Sequence, residues 1–359
     1  MAGMTDSMFV AEGERYIDLA TQRLLLSDIN GGYRVKYEAV IDAYRNAALR
    51  FQSGHRWKSA GSAYVKCAKF QEKVRGSHEA AASFYTDAAE MFKRCDPPTA
   101  EECMSQASSL LCLTGRFRIA AVLSDEIAEM AEAAGRFEDA LDHRKNATNY
   151  FVEFCDTYAR ARSARKAGEL AARIQKYDEA SELFLTCARD LARDSLTRLN
   201  VPDVLLDAGL CLLAAEFDGG ERDGATARER IENEIQEEFR AFVPQLCKES
   251  LFLDDVLVSL SPTRGVPGAE PHPTATKRPS LDLFADALYN YDFVNALRPW
   301  RLAIFMRLKD AIESELADVE QRDEEAALAA EEARIAEEKA KLDAARAAAE
   351  EEDSDEDPF

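Results

Sequence analysis

A small residue recurs every twenty positions through the middle of the chain, and in five of these repeats an aromatic residue lies three positions before it. The small-residue positions are Val40, Ala60, Ala80, Ala100, Ala120, Ala140, Arg160 and Ala180, of which only Arg160 is polar. The aromatic residues are Tyr37, Trp57, Phe117, Phe137 and Tyr177. Twenty residues make one helix and a short turn, so two periods form a helical hairpin. The pattern predicts an α-solenoid, an architecture that presents binding surfaces.

Turn-forming residues interrupt the apolar pattern where the hairpins should reverse. The predicted breaks are Gly54-His55, Gly76-Ser77, Asp96-Pro97-Pro98, Gly115-Arg116 and Gly135-Arg136. Glycine just past a helix end relieves the left-handed cap conformation, and proline opens the next helix without losing a needed N–H. Before the ladder, an amphipathic helix is predicted from about Ala11 to Leu26, followed by a loop rich in Asn, Asp and Gly.

The twenty-residue period is lost after about Asn200. An apolar helix is predicted over residues 201–217 and a charged one over 226–242, and five prolines between 261 and 279 indicate a disordered surface loop. An aromatic-rich helical region over 281–316 should close a bundle that caps the solenoid. The predicted domains are an N-terminal helix and loop (1–36), a solenoid (37–193), a C-terminal helical bundle with the Pro-rich loop 261–279 (194–319) and a tail (320–359).

The predicted fold class is therefore all-α: a TPR-like α-solenoid of antiparallel hairpins forming a twisted sheet, a capping helical bundle, and a charged helical tail. From Glu320 the chain is almost wholly Ala, Glu, Lys, Arg and Asp, which favours a solvated single helix before an acidic end. Leu328, Ile335 and Leu342 are seven apart and would permit a short coiled-coil seam. Ser354 lies in the acidic setting that acidophilic kinases favour.

Charge is unevenly distributed along the chain. The net charge is −22, and the segment from Glu313 onward, with 19 acidic and 5 basic residues, accounts for −14 of it. The ladder is close to neutral and holds basic clusters, one of them at Arg160, Arg162, Arg165 and Lys166. The overall charge argues against a nucleic-acid partner, whereas the basic clusters suit an acidic protein surface.

The sequence holds no motif for catalysis. Phosphate-binding glycine loops, a G-x-S-x-G elbow and H-E-x-x-H are all absent from it, as are C-x-x-C pairs and clustered histidines. We therefore expect no enzymatic activity, no metal and no cofactor, with the eight cysteines reduced and mostly in the core. No apolar run is long enough to span a bilayer, and the N-terminus lacks the pattern of a signal peptide, so the expected location is the cytoplasm.

Several segments resemble the soluble NSF attachment protein (SNAP) family, the adaptors that recruit the AAA+ ATPase NSF to SNARE complexes. The resemblance runs from about Gly31 to Val319, and its most specific stretches are Met91-Phe92-Lys93-Arg94-Cys95-Asp96-Pro97 and Thr114-Gly115-Arg116-Phe117-Arg118. Other similar segments are Trp57-Lys58-Ser59-Ala60-Gly61, Tyr177-Asp178-Glu179-Ala180, Glu237-Glu238-Phe239 and Leu297-Arg298-Pro299-Trp300. The extension of forty residues past Val319 departs from the family.

The resemblance implies a SNARE-binding surface made of basic residues on the concave face of the sheet of helices. The positions that match the family's basic residues, or substitute for them, are Lys93, Arg94, Arg116, Arg118, Arg162 and Lys166. Val122 occupies the position of a family lysine, so that contact is missing or is replaced by Arg118. Exposed pairs are individually weak, so binding should depend on several cations acting together and should weaken in salt.

The resemblance also implies two further contacts. An apolar loop that touches the bilayer corresponds to Leu24, Leu25, Leu26 and Ile29, although these leucines are equally consistent with the end of a buried helix, so membrane-surface contact should be weak. Contacts with the NSF-type ATPase correspond to Asp254, Asp255, Asp282, Asp286, Leu316 and Val319. The expected location is accordingly cytoplasmic with peripheral membrane association.

The function expected from the resemblance is that of an adaptor that binds assembled SNARE four-helix bundles and stimulates their disassembly in vesicle trafficking. The alternative is a tetratricopeptide-type co-chaperone or scaffold that binds acidic peptides or protein surfaces. That alternative needs basic and asparagine side chains to converge on one groove, and Asn146 and Asn149 are too few to favour it. A purely structural scaffold held by the tail helix is a third possibility.

Overall fold

The computed structural model contains helices and turns, with no β-strand in the part of the chain that it describes. The described residues are 2–25, 32–74, 77–218, 227–240, 247–260, 280–292 and 298–352. The chain divides into two compact units, one of Met1–Ala215 with Glu229–Pro244 and the other of Glu216–Arg228 with Gln245–Phe359. The predicted all-α class is confirmed, and the predicted boundary at residue 193 falls inside the first unit.

In the first unit, consecutive helices up to residue 192 pack against each other, and the short turns between them make neighbouring helices antiparallel. The helices are α1 Ala2–Leu25, α2 Gly32–Ser53, α3 Trp57–Glu72, α4 His78–Phe92, α5 Pro97–Leu113, α6 Phe117–Ala133, α7 Phe137–Phe154, α8 Thr157–Arg173, α9 Tyr177–Ala192 and α10 Val201–Asp218. The short α11, Ala227–Arg230, continues as a π-helix over Ile231–Glu237. This succession of packed hairpins confirms the predicted solenoid.

The twenty-residue ladder marks the fourth residue of most of these helices, and that residue lies against the neighbouring helix. Its members at 40, 60, 100, 120, 140 and 180 are all 0% exposed. The expectation fails at Ala80, which is exposed because α4 begins one residue late, at His78, so that Ala81 takes the buried position. At the polar position, the Arg160 guanidinium pairs with the fully buried carboxylate of Asp190 on α9.

Backbone geometry supports most of the predicted turns and adds two. Gly115 and Gly135 adopt positive φ angles of 73° and 76°, as a glycine cap requires. At the first turn His55 takes the left-handed conformation, while Gly54 allows a close approach, since a Cβ there would lie 3.1 Å from the Asp6 carbonyl oxygen. The turns at Cys155 and Gln175 carry no glycine or proline, so their composition does not predict them, and both residues have positive φ.

Two glycines inside helices make room for aromatic rings of the following helix. A Cβ at Gly61 in α3 would lie 2.7 Å from the ring of Phe92, and one at Gly168 in α8 would lie 2.9 Å from the ring of Phe184. Phe184 is fully buried, so its ring cannot move aside into solvent. The glycine at the end of the segment Trp57-Lys58-Ser59-Ala60-Gly61 is therefore explained by the close packing of the Phe92 ring.

We expect Gly168→Ala to lower the free energy of unfolding by about 1–3 kcal/mol, despite the better helix propensity of alanine, because the added methyl overpacks the interface. Urea unfolding followed by circular dichroism measures it. Ser62→Ala, on an exposed face of α3, should change stability by less than about 0.5 kcal/mol. In the background of Phe184→Leu, the cost of Gly168→Ala should shrink, and an undiminished cost would contradict the steric explanation.

Ion pairs between helices two apart arrange the first unit in two layers. The even-numbered helices are linked by Lys93–Glu126, by Lys166–Glu129 at 3.0 Å and by Arg165–Asp203. The odd-numbered helices are linked by Arg136–Glu101 at 2.5 Å and by Lys145–Glu179, and α9 is linked to Glu238, which follows the π-helix, by Arg189 at 2.6 Å. Because consecutive helices are antiparallel, helices within a layer are parallel. All the odd-numbered helices therefore end at one edge of the array, and the even-numbered helices begin at that same edge.

The described helices of the second unit are α12 Lys248–Leu260, α13 Leu281–Asp292 and α14 Pro299–Glu352. Their core is aromatic: the rings of Phe252 and Tyr291 stack at 4.2 Å, and Phe305 meets Phe252 at 5.8 Å. The described side chains from Glu320 onward are exposed, as predicted for a solvated helix, with Leu328 at 67% and Ile335 at 55%. The Pro-rich loop 261–279, the acidic end with Ser354 and the side chain of Leu342 lie outside the described residues. Among the described helices, none is long and apolar enough to cross a membrane.

Candidate protein-binding surface

The six cations predicted to bind SNAREs all belong to the even-numbered layer. Lys93 and Arg94 directly follow α4, Arg116 and Arg118 lie at the start of α6, and the remaining two lie on α8. Because α4, α6 and α8 are parallel neighbours, one layer carries residues as distant in the sequence as Lys93 and Lys166, although Lys93 and Arg94 lie at the edge where α4 ends, and Arg116 and Arg118 lie at the other edge, where α6 begins. Asn146 and Asn149 lie exposed on α7, in the other layer. The asparagines therefore do not converge with the cations, and the geometry does not favour the co-chaperone alternative.

Two of the predicted residues already have strong internal partners at the end of α4. The Lys93 ammonium contacts Glu90 at 2.6 Å and also pairs with Glu126 on α6. Burial opposes the charged form, but the hydrogen bonds and charges of Glu126 and Glu90 outweigh it and raise the pKa of Lys93. The Arg94 guanidinium lies 4.4 Å from the centre of the Trp57 ring on α3. Both cations thus stabilise the array, and only part of their charge is available to a partner.

The start of α6 presents two arginines to solvent. Arg116 pairs with Glu79 at 3.0 Å, and both side chains are more than half exposed, so the pair is worth little and opens readily. Arg118 lies 5.9 Å from the ring of Phe154 at the end of α7. Within the described chain Arg118 has no carboxylate partner. Its charge is therefore directly available to an acidic ligand.

The basic run of α8 splits into inward and outward residues. Arg160 pairs with Asp190, and Arg165 with Asp203 and Asp207, so these two arginines hold the array together. Arg162 points outward, is exposed and has no carboxylate partner among the described residues. Sequence reasoning could not separate the two sets, because the division depends on which carboxylates the neighbouring helices bring near.

Acidic residues of α6 interrupt this surface. Lys166 on α8 donates to Glu129 at 3.0 Å, and this hydrogen bond, assisted by the charges of Lys166 and Arg144, lowers the pKa of Glu129. Together with Asp125, Glu126 and Glu132, Glu129 forms an acidic row along α6 that sequence reasoning missed. This layer therefore carries a basic band, formed by residues at the start of α6 and on α8. Beside the band lies a neutralised strip, in which the acidic row of α6 is paired with basic side chains.

Val122, which occupies the position of a family lysine in the resemblance, lies on an exposed face of α6. Its side chain is 54% exposed on α6, one helical turn after Arg118. Ile119, 50% exposed, is adjacent in sequence to Arg118. Arg118 is therefore accompanied on α6 by two exposed apolar side chains.

The residues predicted to contact the ATPase lie in the second unit. Asp282 and Asp286 are exposed and four residues apart, so they share one face of α13. On α12 Asp255 is exposed and Asp254 half-buried, and on α14 Leu316 is half-buried. The backbone of Val319 continues α14, but its side chain lies outside the described part. The contact of these residues with the ATPase stays a prediction.

The predicted membrane segment is described only at its start. Leu24 packs partly buried against a core of α1, α2 and α3, whereas Leu25 is 83% exposed. Leu26 and Ile29 lie outside the described residues. Of the two interpretations of these leucines, the end of a buried helix fits Leu24, and an apolar contact fits Leu25.

The cysteines are all free, and their positions partly correct the sequence interpretation. Cys67, Cys103, Cys187 and Cys211 are buried as expected, but Cys95 and Cys155 are exposed in turns. Burial raises the pKa of the Cys67 thiol to about 12, which keeps it protonated and unreactive.

Known proteins are similar to this chain over most of its length. The family model "Soluble NSF attachment protein, SNAP" matches residues 6–259. The chain is 27% identical over 284 residues to the alpha-soluble NSF attachment protein of Vitis vinifera, covering 79% of this chain and 89% of that one. It is 25% identical over 307 residues to the beta-soluble NSF attachment protein of Bos taurus, covering 85% and 93%. A probable vesicular-fusion protein sec17 homolog of Schizosaccharomyces pombe is 25% identical over 288 residues, covering 77% and 88%.

Proposed function

We propose that this chain, which belongs to the soluble NSF attachment protein family, is an adaptor that binds assembled SNARE complexes and recruits and stimulates an NSF-type AAA+ ATPase to disassemble them in vesicle trafficking. The observation that carries the proposal is the match of the SNAP model to a solenoid whose even-numbered layer gathers cations from three parallel helices. An acidic four-helix SNARE bundle is the complementary partner for such a surface.

On this proposal the SNARE contacts are unequal. Arg118 and Arg162, which have no carboxylate partner in the described chain, supply most of the attraction. Arg116 adds to it because its exposed pair with Glu79 is weak. Lys93, Arg94 and Lys166 contribute less, since an incoming carboxylate must compete with Glu126, Trp57 or Glu129.

The second unit would receive the ATPase. Asp282 and Asp286 present two carboxylates from one face of α13, and Leu316 adds an apolar contact on α14, with Asp254, Asp255 and Val319 as further contacts. Weak membrane-surface contact would come from Leu25 and the adjoining Leu24, Leu26 and Ile29, which makes the protein cytoplasmic and peripherally associated with membranes.

Reconstitution tests this function directly. The full chain is mixed with a soluble SNARE bundle, an NSF-type ATPase and ATP, and disassembly is followed by loss of fluorescence transfer between labelled SNAREs. We expect disassembly that needs both the chain and ATP, with binding to the bundle that weakens as salt rises. Failure to bind the bundle at low salt would refute the proposal.

A matched pair of variants separates the two ends of the adaptor. Asp282→Asn with Asp286→Asn should leave SNARE binding unchanged and reduce stimulation of the ATPase, because the substitutions remove charge without changing shape. Glu324→Gln with Glu325→Gln removes the same charge from the exposed tail helix and should leave both activities unchanged. Equal effects of the two pairs would overturn the assignment of the ATPase site to α13.

A further inference from the structure

Exposed apolar side chains of the first unit concentrate at one edge of the array. This edge is the one at which the odd-numbered helices end and the even-numbered helices begin. The most prominent of these side chains, each 46% to 86% exposed, are Leu25, Leu113, Phe154, Tyr158, Leu196 and Leu199. Among the exposed large apolar side chains described in this unit, only Met8 and Leu49 lie nearer the opposite edge. A random scatter of exposed hydrophobics would need no explanation, but this one-sided distribution does.

The opposite edge shows that turn composition alone is not the cause. Its turns span 54–56, 93–96, 134–136 and 174–176, and they carry charged residues such as Arg56, Arg136 and Lys176. None of the exposed large apolar side chains lies in these four described turns. The reversals of the apolar edge vary more in length, from 155–156 to 193–200, but even the short ones at 114–116 and 155–156 are preceded by the exposed Leu113 and Phe154.

Cations accompany the apolar tips. Arg23 is close to Leu25, Arg116 and Arg118 follow Leu113, and Arg193 precedes Leu196. Some of these cations also have partners within the fold, since Arg23 donates to the Ala39 carbonyl at 2.6 Å and Arg116 pairs with Glu79 at 3.0 Å, whereas Arg118 has no carboxylate partner in the described chain. Among the carboxylates nearby, Asp156 accepts the Ala159 N–H at 3.0 Å. Asp194 accepts the N–H of Leu196 at 3.2 Å. The edge therefore combines aliphatic side chains with guanidinium groups in a chain of net charge −22.

The form of this surface favours a bilayer over a protein partner. The apolar groups are single residues or pairs at four of the five reversals of this edge, because the described part of the reversal between α3 and α4 carries only the buried Val74. A protein partner would need a surface of complementary shape, whereas a fluid lipid bilayer can accommodate apolar side chains that insert independently of one another. Aliphatic and aromatic groups that reach the acyl boundary, beside cations at the headgroups, are the chemistry of interfacial membrane binding.

We propose that this edge is a membrane-docking surface for anionic lipids, in which the turns bearing Leu113, Phe154, Leu196 and Leu199 insert into one leaflet. The inference extends the membrane contact of the proposed function from the first loop to the length of the array. It stands on the exposure of the later turns, which the first loop does not explain.

Vesicle flotation tests the proposal with the full chain and liposomes of equal parts phosphatidylcholine and phosphatidylserine. The variant Leu113→Ser/Leu196→Ser/Leu199→Ser should bind at least tenfold less than the wild type, since each leucine that enters the acyl region is worth on the order of tenfold. Met8→Ser/Leu49→Ser, at positions that are 62% and 48% exposed but away from the edge, should bind like the wild type. Circular dichroism should show that both variants remain folded.

Other outcomes decide against the proposal. Wild-type affinity of the triple variant, with binding abolished by Leu24→Ser/Leu25→Ser, would confine membrane contact to the first loop. Unchanged flotation with reduced binding to a soluble SNARE bundle would make the edge a protein interface. Disassembly of soluble SNARE bundles, which needs no membrane, should be normal in the triple variant, so a failed lipid test and a failed adaptor function are distinguishable.

Discussion

Replacing Arg118 and Arg162 together by glutamate is expected to weaken binding of an assembled SNARE bundle by roughly a hundredfold at low salt. Each exposed ion pair contributes less than about 1 kcal/mol, but the double reversal removes two attractions and adds two repulsions of similar size. These two arginines are chosen because no described carboxylate holds them, so reversal does not break an internal pair. Titration of the labelled bundle at several salt concentrations measures the loss.

The control for this experiment carries the same change in charge on the other layer. Arg56→Glu with Lys176→Glu reverses two exposed cations that precede α3 and α9. If long-range charge alone governs binding, both double variants will lose affinity equally. We expect the control to lose less than about threefold, and its loss should vanish near physiological salt, where distant charges are screened. Similar losses in both variants would contradict a localised site.

The architecture was predictable because the repeat reports packing directly. A position that must be small in every helix, as at Ala100, Ala120 and Ala140, leaves a period in the sequence whatever the other residues are. The exceptions came from turn length, which the period does not encode. A helix that starts one residue late moved the buried position from Ala80 to Ala81, and the two-residue turn at Cys155 gave no compositional signal.

The candidate site was only partly predictable, for a related reason. Sequence reasoning and the family resemblance could identify basic positions, and the structure places all six on one layer. Which cations are available depends on carboxylates some thirty to forty residues away, as for Lys93 with Glu126, Arg160 with Asp190 and Lys166 with Glu129. The helix spacing that builds the solenoid therefore also determines which basic side chains are paired with carboxylates. This pairing is visible only in the folded array, where neighbouring helices are in contact.

Substitution of Arg144 by methionine is expected to cost about 3–5 kcal/mol of unfolding free energy, the largest single-residue effect among the changes considered. The Arg144 side chain on α7 is 1% exposed, and its guanidinium lies 3.0 Å from Asp125, 3.0 Å from Glu132 and 3.5 Å from Glu129 on α6. Burial alone would lower the pKa of Arg144, but the charge of Asp125 and the hydrogen bonds to Glu132 and Asp125 outweigh it and raise that pKa. Methionine fills the space and leaves the partly buried carboxylates uncompensated.

Two further variants distinguish loss of a buried charge from loss of an ordinary ion pair. Arg136→Met removes a contact in which one guanidinium nitrogen meets both oxygens of Glu101, but because the Arg136 side chain is 43% exposed the change should cost only about 1 kcal/mol. Adding Asp125→Asn to Arg144→Met should recover a substantial part of the loss, because Asp125 is the least exposed of the three acids and an amide oxygen can still accept from Ser163. Urea unfolding gives all of these values.

The same buried arginine connects stability to the binding surface. Glu129 contacts both the buried Arg144 and the more exposed Lys166. Loss of Arg144 leaves Lys166 as the main counter-charge of Glu129 and draws that lysine further inward. Arg144→Met should therefore weaken SNARE binding modestly even in the folded protein, while Arg136→Met should not. If Arg144→Met proves as stable as the wild type, the acids of α6 must be solvated, and the neutralised strip beside the basic band would itself be open to a partner.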